Sequence, residues 1–286
     1  MDFKMKRVLI TGANSYVGTS FERYAKEQGA EAYWIDTVDM IGDGWRTASF
    51  EGYDTVFHVA GIAHQKETKK NASLYYEINR DLAIEVAKKA KQDGVGQLIL
   101  MSSMSVYGME TGVITKETQP NPKSHYGRSK WEAEQAIASL EDASFRVCVL
   151  RPPIVYGKEC KGNFTKIKGM VQRLPIFPYV KNQRSMIYID HLSAFVRLCI
   201  EKGLSGVYFP QNRECVCTMD MAKEMACAMN KRIYCEHLTG LAVRVLRLFH
   251  PTAKKAFGSL IYRNTEEFDF SYAPLDLGQS IRESME

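Results

Sequence analysis

The segment Arg7-Val8-Leu9-Ile10-Thr11-Gly12-Ala13-Asn14-Ser15-Tyr16-Val17-Gly18 decides the fold of this chain. Its largely apolar first part predicts a short buried strand, which leads through a glycine-containing turn into a helix over 16–28. A glycine in such a turn lets the main chain approach a pyrophosphate, whose charge then lies at the helix N-terminus. Ser15 occupies a position where a third glycine is usual, so an ordinary strand–helix turn is the alternative interpretation of this segment alone.

A carboxylate after the next predicted strand favours the dinucleotide interpretation. The predicted strand 31–35 ends at Asp36, which lies 24 residues after Gly12. An acidic side chain there accepts hydrogen bonds from both hydroxyls of an adenosine ribose and would repel a 2′-phosphate. No arginine follows directly in 37–39. We therefore expect NAD rather than NADP as the cofactor, with a carboxylate that caps a loop as the alternative.

Strands and helices alternate through the first half of the chain. The further predicted strands are 54–59, 97–101 and 145–150, and the further predicted helices are 73–91 and 127–141. Strands that alternate with helices form parallel sheets with helices on both faces. The expected fold is therefore α/β, with a Rossmann-type doubly wound parallel sheet and a smaller C-terminal α/β portion.

The rhythm of the elements changes after residue 157. A predicted helix over 163–174 is followed by two prolines, and the pattern then predicts a strand (186–189), a helix (191–202) and a strand around 207–209. These last elements can return to the sheet. We therefore expect an NAD-binding domain over 1–157, completed by 186–209. A substrate-binding portion would comprise 158–185 and 210–286.

Composition and charge exclude several classes of function. A formal charge of +5, with 45% hydrophobic and 25% charged residues, is typical of an ordinary globular protein and argues against nucleic-acid binding. No run approaches the ~20 apolar residues that span a bilayer, and no signal-type segment precedes the first strand. The seven cysteines form no CxxC pair, so we expect reduced thiols, a cytoplasmic location and no metal.

A basic amphipathic helix is predicted near 241–249, where Arg244 and Arg247 accompany apolar residues. Such a helix can lie on a membrane surface. A solvated face of the globule is the alternative interpretation.

The pair Tyr126 and Lys130 is a candidate acid/base site. Residues four apart in a helix share one face, so the phenol and the ammonium lie close together. An unperturbed tyrosine titrates near pH ~10 and is a poor base at neutrality. A neighbouring lysine charge and a positive nicotinamide ring would both lower that pKa. On its own, such a pair is common among surface side chains.

Further segments, in order along the chain, carry a resemblance to a known family. They are His58-Val59-Ala60-Gly61, Asn79, Ser102-Ser103-Met104-Ser105-Val106-Tyr107-Gly108, Arg151-Pro152-Pro153-Ile154-Val155-Tyr156-Gly157 and Gln183-Arg184-Ser185-Met186-Ile187-Tyr188-Ile189-Asp190. With the glycine turn and the Tyr–Lys pair, they resemble the extended short-chain dehydrogenases/reductases of the NAD-dependent sugar-nucleotide epimerase/dehydratase group. The similarity covers most of the chain.

The resemblance implies a role for each matching position. It implies that Ser103, Tyr126 and Lys130 are catalytic. The implied cofactor-binding residues are Gly12, Asn14, Ser15, Tyr16, Val17, Asp36, Val59, Ala60, Gly61, Tyr126, Lys130 and Pro153. The implied substrate-binding residues are Ser103, Asn163, Arg184 and His64, of which Arg184 would pair with a nucleotide diphosphate. A structural histidine at 64 and a helix N-cap at 163 are the alternatives.

The residues after the catalytic serine distinguish among the reactions of this family. Dehydratases carry an Asp-Glu pair there because elimination of water needs its own acid and base; here Met104 and Ser105 take those places. We expect a 4-epimerase that acts on a nucleotide sugar through a 4-keto intermediate, in polysaccharide biosynthesis. The alternatives are a reductase of a keto nucleotide sugar and a non-catalytic NAD(P)-binding sensor. The resemblance further implies a homodimer, in which helices 73–91 and 127–141 of each subunit form a four-helix bundle.

Overall fold

The computed structural model describes residues 5–29, 32–63, 65–249, 254, 257–265 and 268–286. The chain forms two compact units, each assembled from several segments. Unit 1 comprises 1–108, 119–152 and 192–210, and unit 2 comprises 109–118, 153–191 and 211–286. The division into a cofactor-binding domain and a substrate-binding portion, as drawn from the sequence, stays a prediction.

The predicted elements occur in the expected order, together with short strands and with helices over 44–47, 218–228 and 277–285 that were not predicted. The strands are β1 Lys6–Thr11, β2 Tyr33–Val38, β3 Thr55–His58, β4 Gln97–Met101, β5 Gly112–Ile114, β6 Arg146–Leu150, β7 Ile154–Tyr156, β8 Ile176–Pro178, β9 Met186–Tyr188, β10 Gly206–Tyr208, β11 Tyr234–Glu236 and β12 Leu260–Tyr262. The helices are α1 Tyr16–Gly29, α2 Gly44–Thr47, α3 Ala72–Tyr76, α4 Leu82–Gln92, α5 His125–Ala138, α6 Asn163–Arg173, α7 Ile189–Lys202, α8 Thr218–Ala228, α9 His237–Phe249 and α10 Leu277–Met285.

Unit 1 is built on a six-stranded sheet in the order β10-β6-β4-β3-β1-β2. Every neighbouring pair in it is parallel, which confirms the predicted α/β fold with a Rossmann-type sheet. Strands β3 and β4 are buried along their whole length, as expected for strands covered on both faces. Apolar residues of α4 and α5, such as Val86 and Ile137, pack with Leu98 and Val147 of the sheet in one hydrophobic core.

Strand β2 extends beyond its predicted end. Asp36 lies within it, opposite Leu9, and the strand continues to Val38. The Val38 carbonyl accepts hydrogen bonds from the main-chain N–H groups of Gly12 (2.9 Å) and Ala13 (3.2 Å). These bonds continue the pairing between strands past the end of β1, which the local pattern of apolar residues could not reveal. The predicted first residue of this strand, Glu31, lies outside the described residues.

The long predicted helix 73–91 contains an irregular turn. A π-helical turn, Glu77–Asp81, joins α3 to α4, and the fully buried Asn79 lies within it. Such turns often mark functional sites because they change the direction in which side chains project. The apolar spacing that predicted the helix is regular and gave no sign of the turn.

The described residues of unit 2 form three short parallel strand pairs, β7–β9, β8–β11 and β5–β12, together with α6, α8, α9 and α10. Strand β9 therefore pairs with β7 rather than with the central sheet, whereas β10 does join that sheet. A three-residue apolar run indicates a strand but not its partner. Among the residues that the structure describes, no helix is long and apolar enough to cross a membrane.

Candidate active site

The turn after β1 needs a glycine at position 12. Gly12 has a φ of +113°, and a Cβ atom there would lie 2.8 Å from the main-chain nitrogen of Ala60. Most other residues would be strained by that backbone conformation and would collide with the segment after β3. The turn and the segment 59–61 therefore lie in direct contact. Because Gly12 has no side chain, the pyrophosphate of a dinucleotide can approach the main chain of this turn closely.

Ser15 caps the first helix instead of supplying a further glycine. Its hydroxyl accepts a hydrogen bond from the N–H group of Gly18 at 3.2 Å. The left-handed conformation in this turn falls on Asn14, with a φ of 62°, a residue type that tolerates it. Serine at position 15 thus fits the turn without backbone strain, and it satisfies one of the N–H groups at the start of α1.

Asp36 is held in place by two aromatic side chains. Its Oδ2 atom accepts hydrogen bonds from the hydroxyl of Tyr53 and from Nε1 of Trp34, both at 2.7 Å. Burial and the hydrogen bond to Asp36 raise the pKa of Tyr53 to about 12, so this phenol remains a donor at neutral pH. These contacts fix the orientation of the carboxylate expected to bind the ribose. That role stays a prediction.

Asn79 ties the segment after β3 to the helices that cover it. Its Oδ1 accepts a hydrogen bond from the N–H of Ile62 at 2.9 Å, and its Nδ2 donates to the Ile62 carbonyl at 3.1 Å. The adjacent Gly61 leaves room for this arrangement. A Cβ atom at position 61 would lie 2.8 Å from Asn79 Oδ1 and 3.2 Å from Lys130 Nζ.

The predicted catalytic residues Ser103 and Tyr126 meet in unit 1. Ser103 follows the end of β4, and Tyr126 lies in the first turn of α5, where Glu67 Oε1 accepts a hydrogen bond from its main-chain N–H at 3.0 Å. Burial raises the pKa of the Tyr126 phenol above its ordinary value, whereas the neighbouring Ser103 hydroxyl opposes this rise. The phenol of the protein alone is therefore protonated at neutral pH.

Lys130 lies one turn after Tyr126 and is almost completely buried. Its Nζ atom donates a hydrogen bond to the Met101 carbonyl at 2.9 Å. Burial lowers the pKa of Lys130 to about 8, and the carboxylate of Glu134 opposes that shift. The ammonium is therefore still mostly charged at neutral pH.

His58 carries no competing charge beside this lysine. Its Nδ1 atom lies 2.7 Å from the Thr11 hydroxyl. Burial, and then the charge of Lys130, lower the pKa of His58 to about 3, so the imidazole is neutral at all but acid pH. Lys130 is thus the positive group of this pair.

A buried ion pair joins Arg151 to Glu134, which lies one turn after Lys130 on α5. It was not predicted from the sequence. Arg151, directly after β6, donates from Nη2 to Glu134 Oε2 at 2.5 Å and from Nη1 to the Tyr107 hydroxyl at 2.7 Å. Glu134 also accepts a hydrogen bond from the Ser102 hydroxyl. Both charged side chains are less than a tenth exposed. The signal that was available is the spacing of Tyr126, Lys130 and Glu134, each one turn apart on α5.

The remaining predicted site residues lie in unit 2 or outside the described residues. Arg184 is buried, and its Nη1 atom donates to the Gly258 carbonyl at 2.9 Å. Asn163 is the first residue of α6, and Gly162 is the N-cap, so the alternative of Asn163 as an N-cap is wrong. Pro153 is buried. His64 lies outside the described residues.

The sequence of this chain matches the profile of a known protein family. The profile of the NAD dependent epimerase/dehydratase family matches residues 8–208. The chain belongs to this family. The match spans every strand of the six-stranded sheet from β1 through β10, apart from the first two residues of β1. It confirms the resemblance drawn from the motifs, and it identifies the protein as an NAD-dependent enzyme.

Curated relatives include 4-epimerases that act on different carriers. A UDP-glucose 4-epimerase of Vibrio cholerae is 31% identical over 256 residues, which cover 80% of this chain and 78% of the relative. An N-acetyl-α-D-glucosaminyl-diphospho-ditrans,octacis-undecaprenol 4-epimerase of Escherichia coli O157:H7 is 24% identical and covers 81% of this chain and 75% of the relative.

Solved structures share the fold. UDP-glucuronic acid 4-epimerase from Bacillus cereus, in complex with NAD, superposes with a TM-score of 0.74 at 18% identity and covers 97% of both chains. A dTDP-4-dehydrorhamnose reductase from Clostridium acetobutylicum gives a TM-score of 0.75 at 19% identity over 98% of both chains. Epimerases and reductases thus share this architecture, and the fold alone does not distinguish the two reactions.

Proposed function

We propose that the protein is an NAD-dependent 4-epimerase of a nucleotide sugar. The observation that carries the proposal is the cluster at the end of β4, in which the Ser103 hydroxyl lies beside the Tyr126 phenol and Lys130 lies one turn further along α5. The two residues that follow Ser103 are Met104 and Ser105, and neither has a carboxylate. The cluster therefore lacks the acid/base pair that dehydration requires.

Each residue of the cluster has a step that it can perform. Ser103 donates a hydrogen bond to the reacting oxygen of the sugar, and Tyr126 accepts the proton of the C4 hydroxyl and later returns it. Bound NAD supplies the acceptor and donor of the hydride. Lys130 keeps a positive charge one helical turn from the phenol. Since burial raises the pKa of Tyr126 in the protein alone, ionisation of the phenol depends on additional positive charge near it.

The proposed cofactor site consists of the turn after β1, Asp36, the segment 59–61, Pro153 and the Tyr–Lys pair. Its turn residues are Gly12, Asn14, Ser15, Tyr16 and Val17. The support for it is the open main chain at Gly12, the N-terminus of α1 and the fixed carboxylate of Asp36. Asn163, Arg184 and His64 are proposed to bind the substrate.

The names of the relatives support reaction at C4. The V. cholerae relative acts on UDP-glucose, and the E. coli relative acts on an N-acetylglucosaminyl diphosphate that is linked to a polyprenol. Both names specify a sugar diphosphate and inversion at C4. We therefore assign C4 with a nucleoside diphosphate carrier, and the lipid-linked diphosphate is the alternative carrier.

A reductase of a keto nucleotide sugar is the second candidate, because the C. acetobutylicum reductase has this fold. The two reactions differ in the fate of the cofactor. An epimerase recycles NAD within one turnover and retains it, whereas a reductase must exchange it after each turnover. Asp36 favours the first, since its carboxylate would repel the 2′-phosphate of NADPH.

A direct assay tests the proposal. The purified protein is incubated with UDP-glucose, UDP-N-acetylglucosamine and dTDP-glucose in turn, without added reductant, and inversion at C4 is followed by NMR. Nucleotide released from the denatured protein is identified by mass spectrometry. Inversion of at least one sugar and retained NAD support the epimerase. In a parallel incubation with keto nucleotide sugars and NADPH, consumption of NADPH together with no C4 inversion in the first assay contradicts it.

We also propose a homodimer in the cytoplasm, with a role in polysaccharide biosynthesis. In the dimer, residues 72–92 and α5 of each subunit would form a four-helix bundle. Light scattering tests the oligomeric state. A monomer at micromolar concentration would refute the dimer without affecting the reaction.

A further inference from the structure

Helix α9 in unit 2 turns its apolar side toward solvent. Leu238, Leu241, Val245 and Leu246 are 75%, 58%, 51% and 49% exposed, and Ala242 between them is exposed as well. Their spacing of three and four residues places all five on one face of the helix. A helix at the surface of a globule usually buries such a face.

The opposite side of α9 holds the helix to the unit. Gly240 is buried, and the main chain of Tyr179 occupies the space that a side chain at position 240 would need. The His237 ring stacks on that of Tyr179, with their centroids 4.0 Å apart. The helix is therefore anchored through its smallest residue, which leaves the leucines and valine on the outer side.

Neighbouring residues extend the apolar surface. Strand β11 leads directly into α9 and pairs with β8, and exposed apolar side chains lie at both strands. Tyr234, Ile176 and Leu174 are 68%, 46% and 50% exposed. We call these three residues, together with the five of α9, the α9 face.

Positive charge accompanies the α9 face. Residues 165–183 contain four Lys or Arg and no carboxylate, and residues 231–246 contain three Lys or Arg and one carboxylate, Glu236. Arg173, Lys231, Arg232 and Arg244 are exposed. Glu236 accepts hydrogen bonds from the N–H groups of Leu238 (3.0 Å) and Thr239 (2.7 Å), so it caps the helix. Asp220 of α8 lies 3.6 Å from Lys223.

We propose that the α9 face docks on the surface of an anionic lipid bilayer. An exposed apolar stripe that is flanked by Lys and Arg fits the boundary between acyl chains and anionic headgroups. A second copy of the chain fits less well, because a symmetric contact would bring its basic residues close to their own copies. Nucleic acid would match the charge but not a stripe of leucine and valine. The helix lies in the plane of the membrane and does not cross it.

Vesicle sedimentation tests this proposal with the full-length protein. The protein is mixed with vesicles of phosphatidylcholine alone, or with about one third phosphatidylglycerol. We expect binding to the anionic vesicles only, weakened when salt is raised from about 0.05 M to about 0.5 M. The double variant Leu241→Glu/Val245→Glu should partition at least about tenfold more weakly. Arg244→Gln should weaken binding about fivefold.

Ile41→Glu provides the matched control, because Ile41 is 86% exposed and lies in unit 1, remote in sequence from α9. It introduces one negative charge at an exposed apolar position, as each substitution of the double variant does, and should bind vesicles like the wild type. Unchanged circular dichroism and melting temperature verify that the variants fold. Failure of the wild-type protein to sediment with anionic vesicles would overturn the proposal. Light scattering that shows a dimer, lost in the double variant and without vesicle binding, would assign the α9 face to a second copy and also overturn it.

Discussion

Helices α5 and α9 both contain side chains in environments that do not suit their chemistry, but in opposite ways. Helix α5 buries Lys130 and Glu134 in unit 1, whereas α9 exposes Leu238 and Leu241 in unit 2. On α5 each buried charge has partners: Met101 for Lys130, and Arg151 and Ser102 for Glu134. On α9 the described residues leave the apolar side chains exposed. Burial of charge and exposure of apolar side chains both cost stability, and such costs are common at functional sites. The buried charges of α5 are paired within the chain, whereas the apolar face of α9 needs a partner from outside it.

Removal of the phenol on α5 gives the largest expected effect. Tyr126→Phe retains the ring and removes the proposed acid/base, so turnover should fall by about 10²- to 10⁴-fold. The rate of C4 inversion measures the loss. As a control, Tyr33→Phe removes a hydroxyl of strand β2 that donates to Glu201 at 2.8 Å, and it should leave the rate unchanged. Near wild-type turnover in Tyr126→Phe would show that another group moves the proton.

Removal of the partner of a buried charge should destabilise unit 1. Arg151→Met leaves Glu134 buried without its cation, which should lower the free energy of unfolding by about 3–5 kcal/mol. Urea denaturation measures this loss. The double variant Arg151→Met/Glu134→Leu removes both charges and should recover much of it. If the single variant were as stable as the wild type, the ion pair would not support α5.

The pH dependence of activity should shift when Glu134 loses its charge. Above a pKa of about 8, Lys130 loses its proton, so kcat/KM should fall by about tenfold per pH unit on the alkaline side. The carboxylate of Glu134 raises that pKa, and Glu134→Gln should move the decline to lower pH. Glu132→Gln, on the same helix, removes a partner of Arg80 at the surface and should leave the profile in place. An unshifted profile in Glu134→Gln would mean that Lys130 does not set this limb.

The same lysine makes a predictable contribution to stability. The pKa of Lys130 is lower in the folded protein than its ordinary value of 10.5, so between pH 8 and 10.5 the unfolded chain binds more protons. The contribution of this group to stability therefore increases as pH rises through that window. It is lost as pH falls through the folded pKa.

Changes on α9 should have the smallest effect on the fold. Leu241→Asn replaces an exposed leucine, so the free energy of unfolding should change by no more than about 0.5 kcal/mol. Leu98→Asn, at a fully buried position of β4, provides the contrast and should be severely destabilising. If Leu241→Asn were equally destabilising, α9 would pack within the chain and the comparison with α5 would fail.

The regular elements of unit 1 were predictable because their patterns are local. The bounds of β4 match the prediction, and α5 begins two residues before its predicted start, with Ser124 as its N-cap. The end of strand β2 was misjudged because its last residue, Val38, is held by main-chain hydrogen bonds from the turn after β1. The strand pairs of unit 2 were not predictable, since three-residue strands such as β8 and β11 are defined by partners far away in the sequence.

The candidate site also contains residues that were predictable from local motifs and residues that were not. Ser103, Tyr126 and Lys130 could be named from motifs, and the structure places them at the end of β4 and on α5. The ion pair of Glu134 with Arg151 could not, because it depends on how the end of β6 meets α5. The exposure of the α9 face was not predictable either, because a sequence pattern does not reveal which side of a helix packs against the protein.

The π turn at 77–81 has a consequence for how this region tolerates insertion and deletion. Such a turn contains about one residue more than an α-helical turn, and each residue rotates a helix by about 100°. Deletion of one residue there would give a continuous α-helix with intact main-chain bonds. It would also rotate α3 relative to α4 and remove Asn79 from the main chain of Ile62. Helical content would then survive a change that detaches the segment after β3, so a shortened variant could resemble the parent in shape while lacking its site.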